Sequence, residues 1–320
     1  MAAHIASAHA ERVYSALHSH AAARSALVAS WQRSATFHRL DPEDRKPPRR
    51  MTEFELRQAR ERVAGLIHAS QASLDRLYLA VGSVGCCVLL ADRNGVPIER
   101  RGAPADDPIF EEWGLWPGTV WSEESEGTNG IGTCLVEHRL LTIHRDQHFF
   151  SKNTLLSCTT APIYDHEGNL AAALDVSSCR ADVTEGFVSL ISMAVADAAR
   201  RIEIENFRQA FPKARFLLAP TPDNSPSALI AVDSDDLVIG ATRSARVSLD
   251  LLGETFASPI PACDLLGASV ETSEDLTAVE RAAVRRALAR ADGNVSAAAR
   301  DLGISRATMH RKLARLRLNR

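Results

Sequence analysis

His144 and His148, with Asp146 between them and Cys134, Cys158 and Cys179 near in the chain, are the side chains best suited to hold a zinc or iron ion or to act as a thiol switch. Imidazole and thiolate are ligands for both metals. If residues 141–149 run extended, His144, Asp146 and His148 share one face, which ordinary strand alternation also produces. The six cysteines include no C-x-x-C pair, so structural histidines and small buried thiols account for the set equally well, and no metal is expected. A second candidate, Glu126-Gly-Thr-Asn-Gly-Ile-Gly-Thr133, is glycine-rich like a phosphate-cradling loop. No lysine follows it and no uninterrupted strand–loop–helix frame surrounds it, so it reads as a tight loop before a short helix, with Thr128 and Asn129 toward a ligand cavity. No Ser/His/Asp, Cys/His or paired-carboxylate spacing emerges, so no catalytic residue and no enzyme are expected.

Charge points elsewhere. Residues 281–320 carry eleven Arg and Lys against Asp292 and Asp301, a charge of +9 in a chain of −3 overall, which leaves −12 on residues 1–280. A basic footprint confined to one end suits phosphate neutralisation, and an acidic body stays off a duplex. The elements needed to present that charge are legible. Two short helical segments, Ser296 to Leu302 and Ser305 to Leu316, are separated by Gly303, which can take the positive φ that ends one helix, while Ser305 can cap the next. Ala298, Leu302, Ile304, Met309, Leu313 and Leu316 fall at spacings that share one seam and leave Arg306, His310, Arg311, Lys312 and Arg315 outside. A supporting helix opens at the capping-box spacing Thr277-Ala-Val-Glu280. The competing reading, a solvated arginine-rich tail, requires neither the glycine corner nor the seam.

Gly293-Asn294, Ala297-Ala298, Leu302-Gly303-Ile304, Arg306, Thr308 and Lys312-Leu313 stand where the Fis-type helix-turn-helix has them, and the segment resembles that family. The resemblance implies double-stranded DNA as partner, with Ser305, Arg306, Thr308 and His310 at the major groove or its edges, Arg311 and Lys312 on phosphates, and Ser296 offering its hydroxyl or N–H to a phosphate. It also implies a homodimer on a pseudo-palindromic site. His310 stands where the pattern more often has Tyr or Arg.

The rest of the 320 residues, with 45% hydrophobic composition, is long enough for two or three domains. There is no apolar stretch of membrane-spanning length and no signal-peptide start, so a cytoplasmic protein with no membrane partner is expected. Residues 1–40 read as a helix ending in the proline-bearing run 41–50; a second helix is expected from Thr52 to about Leu79. Strands are expected at Cys86–Ala91 and Val96–Arg100 about the Asp92-Arg-Asn-Gly95 turn, at Leu140–His144, and at Cys158–Tyr164 and Leu170–Val176, before a long helix from Thr184 to about Ala210. The expected class is therefore α+β, an antiparallel sheet flanked by helices, plus a small all-α unit.

Trp121-Ser-Glu-Glu-Ser-Glu-Gly-Thr-Asn-Gly-Ile-Gly-Thr-Cys-Leu135, His144-Arg-Asp-Gln-His-Phe149, Cys158-Thr-Thr-Ala-Pro-Ile-Tyr-Asp165 and Ala173-Leu-Asp-Val-Ser177 resemble the GAF sensor domain of the acetoin-catabolism activator family, whose N-terminal segment Ser30-Trp31-Gln-Arg-Ser34 and Leu40-Asp-Pro42 also match. The resemblance implies a small-molecule effector and no further cofactor, with Trp121, Thr128, Asn129, Cys134 and His148 as candidate ligand-binding residues. Trp113, Trp116 and Trp121 suit the wall of an apolar pocket and suit core packing equally. Residues 227–246 have the strand, acidic turn, strand, helix order of a PAS start, either a truncated unit or a structured linker. The expected domains are 1–50, N-terminal helix and linker; 51–210, GAF; 211–272, linker with a partial PAS-like unit; and 273–320, helix-turn-helix. Relatives in this activator family carry an ATPase between sensor and helix-turn-helix, whereas this chain has no G-x-x-x-x-G-K-[ST] loop. Regulation is then expected without its own ATP hydrolysis, with RNA polymerase or another activator as a further partner. A metal or redox switch and an architectural DNA-binding protein are the competing classes.

Overall fold

Cys86–Asp92 is apolar up to its final residue, and it becomes β1, buried along its whole length. In the computed structural model, which describes residues 2–18, 22, 25–180, 185–222, 225–233, 237–256, 260–266, 280, 283–284, 287–288, 291, 293–316 and 318, β1 joins β2 (Pro97–Arg101), β3 (Leu141–His144), β4 (Ser157–Tyr164) and β5 (Leu170–Ser178) in one antiparallel sheet of order β2-β1-β5-β4-β3. The β1–β2 turn is set by local chemistry. Asp92 Oδ1 accepts from the N–H groups of Asn94 (2.9 Å) and Val96 (3.0 Å), and Gly95 takes φ +79°.

Helices lie on both faces. The expected single helix over residues 1–40 is two, α1 (Ala2–Leu17) and α2 (Ala26–Gln32), the latter running into a π-helical turn at Arg33–Phe37. The expected helix from Thr52 is likewise split into α3 (Glu53–Arg62), opened by a Thr52/Glu55 capping box, and α4 (Ala64–Val81). Val63, at φ −122°, breaks the helix there, and Arg60 Nε donates to Ile98 O (2.7 Å), tying α3 to β2. Leu66, Leu74 and Leu77 of α4, with Ile191, Val195 and Ile202 of the helix Glu185–Ala210, form one core with Cys86, Val88 and Leu90 of β1.

The opposite face of the same strand, Cys87, Leu89 and Ala91, forms a second core with Phe110, Leu115, Trp121, Ile131 and Leu156. Its cover is α5 (Asp107–Glu112), α6 (Glu123–Glu126) and α7 (Gly130–Glu137). Strand alternation thus gives β1 two cores with no side chain in common. The 26-residue helix over 185–210, here α8, extends beyond the sheet, and its Phe207 packs with Leu229 and Ala231 of a second sheet. That sheet has the order β6-β7-β8-β9, from Arg215–Leu218, Leu229–Val232, Leu237–Ala241 and Ile260–Pro261. It carries α9 (Arg243–Ser248), capped by Thr242. The strand, strand, helix order expected over residues 227–246 is present, while its acidic turn at 234–236 lies outside the described residues.

The chain divides into two compact units, residues 1–262 and 263–320. In the second, Glu280, Ala283, Val284, Ala287 and Leu288 are helical, and α10 (Val295–Asp301) and α11 (Arg306–Arg315) follow. The expected cap residue Thr277 lies outside the described residues. Val284, Ala287, Ala298, Met309, Leu313 and Leu316 are buried in one cluster, with Leu302 and Ile304 against it, which is the seam expected from the sequence.

Candidate functional site

The corner between α10 and α11 is built by three residues. Gly303 sits at φ +65°; its N–H reaches Arg300 O (3.1 Å) and that of Ile304 reaches Ala299 O (3.0 Å), the paired bonds of a Schellman stop. Ser305 then caps α11, its hydroxyl accepting from Thr308 N–H (3.1 Å) and meeting Thr308 Oγ1 at 2.9 Å, while Arg311 Nη2 donates to Thr308 Oγ1 (3.3 Å). Asn294, quoted above only as part of the family pattern, caps α10 by accepting from both Ser296 and Ala297 N–H (3.0 and 3.1 Å). Ser296 therefore has its N–H committed and only its hydroxyl to offer. Ser305, Arg306 and Arg311 are exposed, and Thr308, His310 and Lys312 are half-buried, all on or at the start of α11. Lys312 has a partner the sequence did not suggest: both it and Arg315 bind the carboxylate of Glu280. A helix with its apolar stripe buried and arginines outside can lie in a major groove with its N-terminal turn at base edges.

In the larger unit the five candidate ligand residues are all buried, and the polar atoms of four of them are engaged inside the protein. Trp121 Nε1 donates to Gly114 O (2.7 Å). Thr128 Oγ1 meets Ser30 Oγ (2.7 Å). Asn129 caps α7, accepting from Gly132 N–H (2.8 Å) and donating to Gly127 O (2.8 Å). Cys134 packs with Leu141 and Ile143. His148 Nδ1 lies 2.9 Å from Arg145 O, and its Nε2 is 3.5 Å from Cys158 Sγ. Residues 141–149 do not run extended as supposed. The chain turns at Arg145 (φ +48°) into a 3₁₀ turn, so His144, Asp146 and His148 do not share a strand face. His144 instead lies 2.7 Å from Ser157 Oγ. Among the described residues no group of three or more His, Cys, Asp and Glu is arranged to hold a metal. Trp113 packs against the second core, and Trp116 stacks on the Arg100 guanidinium, 4.5 Å from its ring centre.

Beneath them, on the same sheet face, Thr160 and Ser177 donate to Asp175 (2.5 and 2.6 Å), a carboxyl with no solvent exposure. Burial pushes it up to about 6, against which the two hydroxyls work. Burial lowers His148 to about 4 and holds the Cys134 and Cys158 thiols far above their ordinary range. These thiols are protonated and unreactive. Asp175 could have been suspected only as the one charged residue inside an apolar strand.

Residues 276–316 match the family described as bacterial regulatory protein, Fis family, and residues 65–202 match the GAF domain. Over 250 residues the chain is 32% identical to the acetoin catabolism regulatory protein of Cupriavidus necator, covering 77% of this chain and 37% of that protein. Over 178 residues it is 28% identical to the acetoin dehydrogenase operon transcriptional activator of Bacillus subtilis, covering 56% and 29%. The chain is homologous to the acetoin catabolism regulators. It spans about a third of the length of these curated relatives. An E. coli DhaR(N)–DhaL complex shares the fold, with a TM-score of 0.52 at 15% identity over 73% of this chain and 78% of that one.

The GAF domain and Fis-type helix-turn-helix give the chain the make-up of a bacterial transcription regulator. In this GAF domain the N-terminal motif Ser30-Trp-Gln-Arg-Ser34 has a structural reason. Ser30 donates to Glu123 Oε2 (2.9 Å), Arg33 binds Glu123 (2.6 Å) and Glu137 (2.8 Å), and Trp31 Nε1 donates to Gln147 O (2.9 Å). Glu123 is almost wholly buried, so the Arg33 guanidinium is what makes its charge tolerable there. The motif fastens α2 across α6 and α7. No helix among the described residues is long and apolar enough to cross a membrane.

Proposed function

We propose that this chain is a cytoplasmic, dimeric regulator in which the GAF domain senses a small molecule and two Fis-type heads bind a pseudo-palindromic operator, without ATP hydrolysis by this chain and without enzymatic activity. The observation that carries the reading is the α10–α11 corner, whose Schellman stop and Ser305 cap hold an arginine-bearing helix outside a buried seam. On this reading Arg306, Thr308, His310 and Ser305 read bases or their edges, and Arg311, Lys312 and the Ser296 hydroxyl meet phosphates. The domain plan is 1–50, 51–210, 211–272 with a partial PAS-like unit, and 273–320.

Dimerisation is supported by the outer surface of the two helices behind the sheet. Leu79 of α4 and Leu190 and Met193 of α8 are 80%, 63% and 71% exposed, apolar side chains that a second copy would cover. α8 leads on from the sensor sheet, so a ligand that prefers one dimer geometry would shift head spacing by no more than that preference. The relatives named above are regulators of acetoin catabolism and of an acetoin dehydrogenase operon, which supports a small metabolite as effector without fixing its chemical class; RNA polymerase or a second activator is the protein partner on this reading.

The test is to incubate the full chain with fragmented genomic DNA of its source at moderate salt and sequence what is retained. A two-fold-symmetric motif near a few genes is expected, and those genes nominate the effector. Uniform retention with no motif, with or without candidate effectors, overturns dedicated regulation in favour of an architectural role.

A further inference from the structure

A cleft of about 710 Å³ lies between the segment leading into α3 and the α6–α7 pair, and none of the five candidate ligand residues lines it. We infer that it is a binding site for a small amphipathic monocarboxylate, held by Arg49 and Arg93; its role as the effector site rests on the sensing function proposed above.

Backbone pairing makes the walls. Met51 N–H bonds to Gly118 O, Val120 N–H to Arg49 O and Trp121 N–H to Gly95 O, each at 2.8 Å. One stretch, residues 118–121, therefore pins the segment carrying Arg49 on one side and the β1–β2 turn carrying Arg93 on the other. Both arginines are exposed cleft residues, and neither has an ion pair among the described residues. The contrast is with their neighbours: Arg33 is bound to Glu123 and Glu137, Arg50 to Glu111, and Arg101 to Asp75.

Two acids face the cleft, but Glu123 is already neutralised by Arg33. In the lining the two guanidiniums outnumber the remaining Glu124, and Glu55, which feels the charge of Arg49 from outside the cleft, makes no ion pair with it among the described residues, so the donors of both arginines are available to one carboxylate. Guanidinium forks bind carboxylates with directed, charge-assisted hydrogen bonds. The rest of the lining is mixed: His38, Asn94, Ser122 and Ser125 are polar, and the apolar surface is made by Met51, Val96, Val120, Leu135 and Val136, of which Val96, Val120 and Leu135 are buried and Val136 is 49% exposed. That surface suits a hydrocarbon body, and the volume lies within the range of small-ligand sites.

The experiment is calorimetric titration of the full chain with hexanoate and benzoate, with hexanol, benzyl alcohol and inorganic phosphate as controls. Both carboxylates are expected to bind, with the alcohols and phosphate at least about tenfold weaker. Arg49→Ala and Arg93→Gln, both at exposed positions, are each expected to weaken carboxylate binding about tenfold with the melting temperature unchanged. Val136→Asp, which sets a like charge in the cleft, serves as a third variant and should also weaken it. No binding at about 10 mM, equal binding of the alcohols, phosphate binding as tightly as hexanoate, or full affinity in the folded arginine variants overturns the inference. Operator affinity separates the two readings. Carboxylate binding that leaves DNA affinity unchanged keeps this site and removes the sensing role. A different small molecule that shifts DNA affinity equally in wild type and the arginine variants keeps sensing and removes this site as its origin.

Discussion

Glu280 holds Lys312 through its Oε1 while its Oε2 takes Arg315, so one carboxylate screens two cations of the DNA-binding unit. Phosphates must compete with it. Glu280→Gln is expected to raise affinity for both operator and random duplex several-fold and to steepen the salt slope by up to about two, since each phosphate contact contributes about 0.9. Fluorescence anisotropy across a salt series checks this, and an unchanged slope would show that Glu280 lets go at no cost.

Arg306→Ala is expected to cost about 1–3 kcal/mol on the operator and little on random DNA, while Lys312→Ala lowers both alike. Equal losses on the two DNAs for Arg306→Ala would remove its base-reading role.

Gly303 and Gly132 are required for different reasons. An added Cβ at Gly303 meets nothing within 4 Å, so Gly303→Ala carries only the strain of φ +65°, about 1 kcal/mol. At Gly132 a Cβ would stand 2.4 Å from Glu123 N and 2.6 Å from Trp121 O, both backbone atoms that cannot swing away. Gly132→Ala is expected to cost about 3 kcal/mol or more. Urea melts of the two variants should differ in that order, and the reverse order would contradict this account of the α6–α7 packing.

Asp175 and His148 pull stability in opposite directions with pH. The carboxyl is raised from 3.8 to about 6, so its contribution is present below pH 3.8 and is lost as pH rises through about 6. The imidazole is lowered from 6.5 to about 4, so its contribution is present above pH 6.5 and is lost as pH falls through about 4. Each is on the order of 3 kcal/mol, and between pH 4 and 6 they offset. Unfolding free energy measured from pH 7 to 4.5 should fall more steeply with acid in Asp175→Asn than in wild type, and less steeply in His148→Gln. Parallel profiles for all three proteins would refute the assignment.

Where bonds are local, the sequence was sufficient. The Asp92–Gly95 turn, the apolar strand from Cys86 to Ala91, the helix start at Thr52 and the Gly303–Ser305 corner each depend on side chains within a few residues of one another. Long-range partners were not legible. Ser30 and Arg33 bind Glu123 from about ninety residues away, and Thr128, which resembled a ligand-facing residue, is a mate of Ser30. The break at Val63 was missed because the apolar period continues through it, and the turn at Arg145 because alternating residues mimic a strand there.

The sheet with a separate core on each face acts as a partition inside the sensor. Cys86 belongs to the compartment of α4 and α8, and Cys87, one residue on, to that of α5 and α7. A rearrangement among the side chains of one compartment therefore has no direct route to the other. It must bend the shared backbone of β1 and β5, or travel around the rim through the residues that join α2 to α3. Hydrogen exchange followed strand by strand would distinguish a message sent through the wall from one sent around its edge.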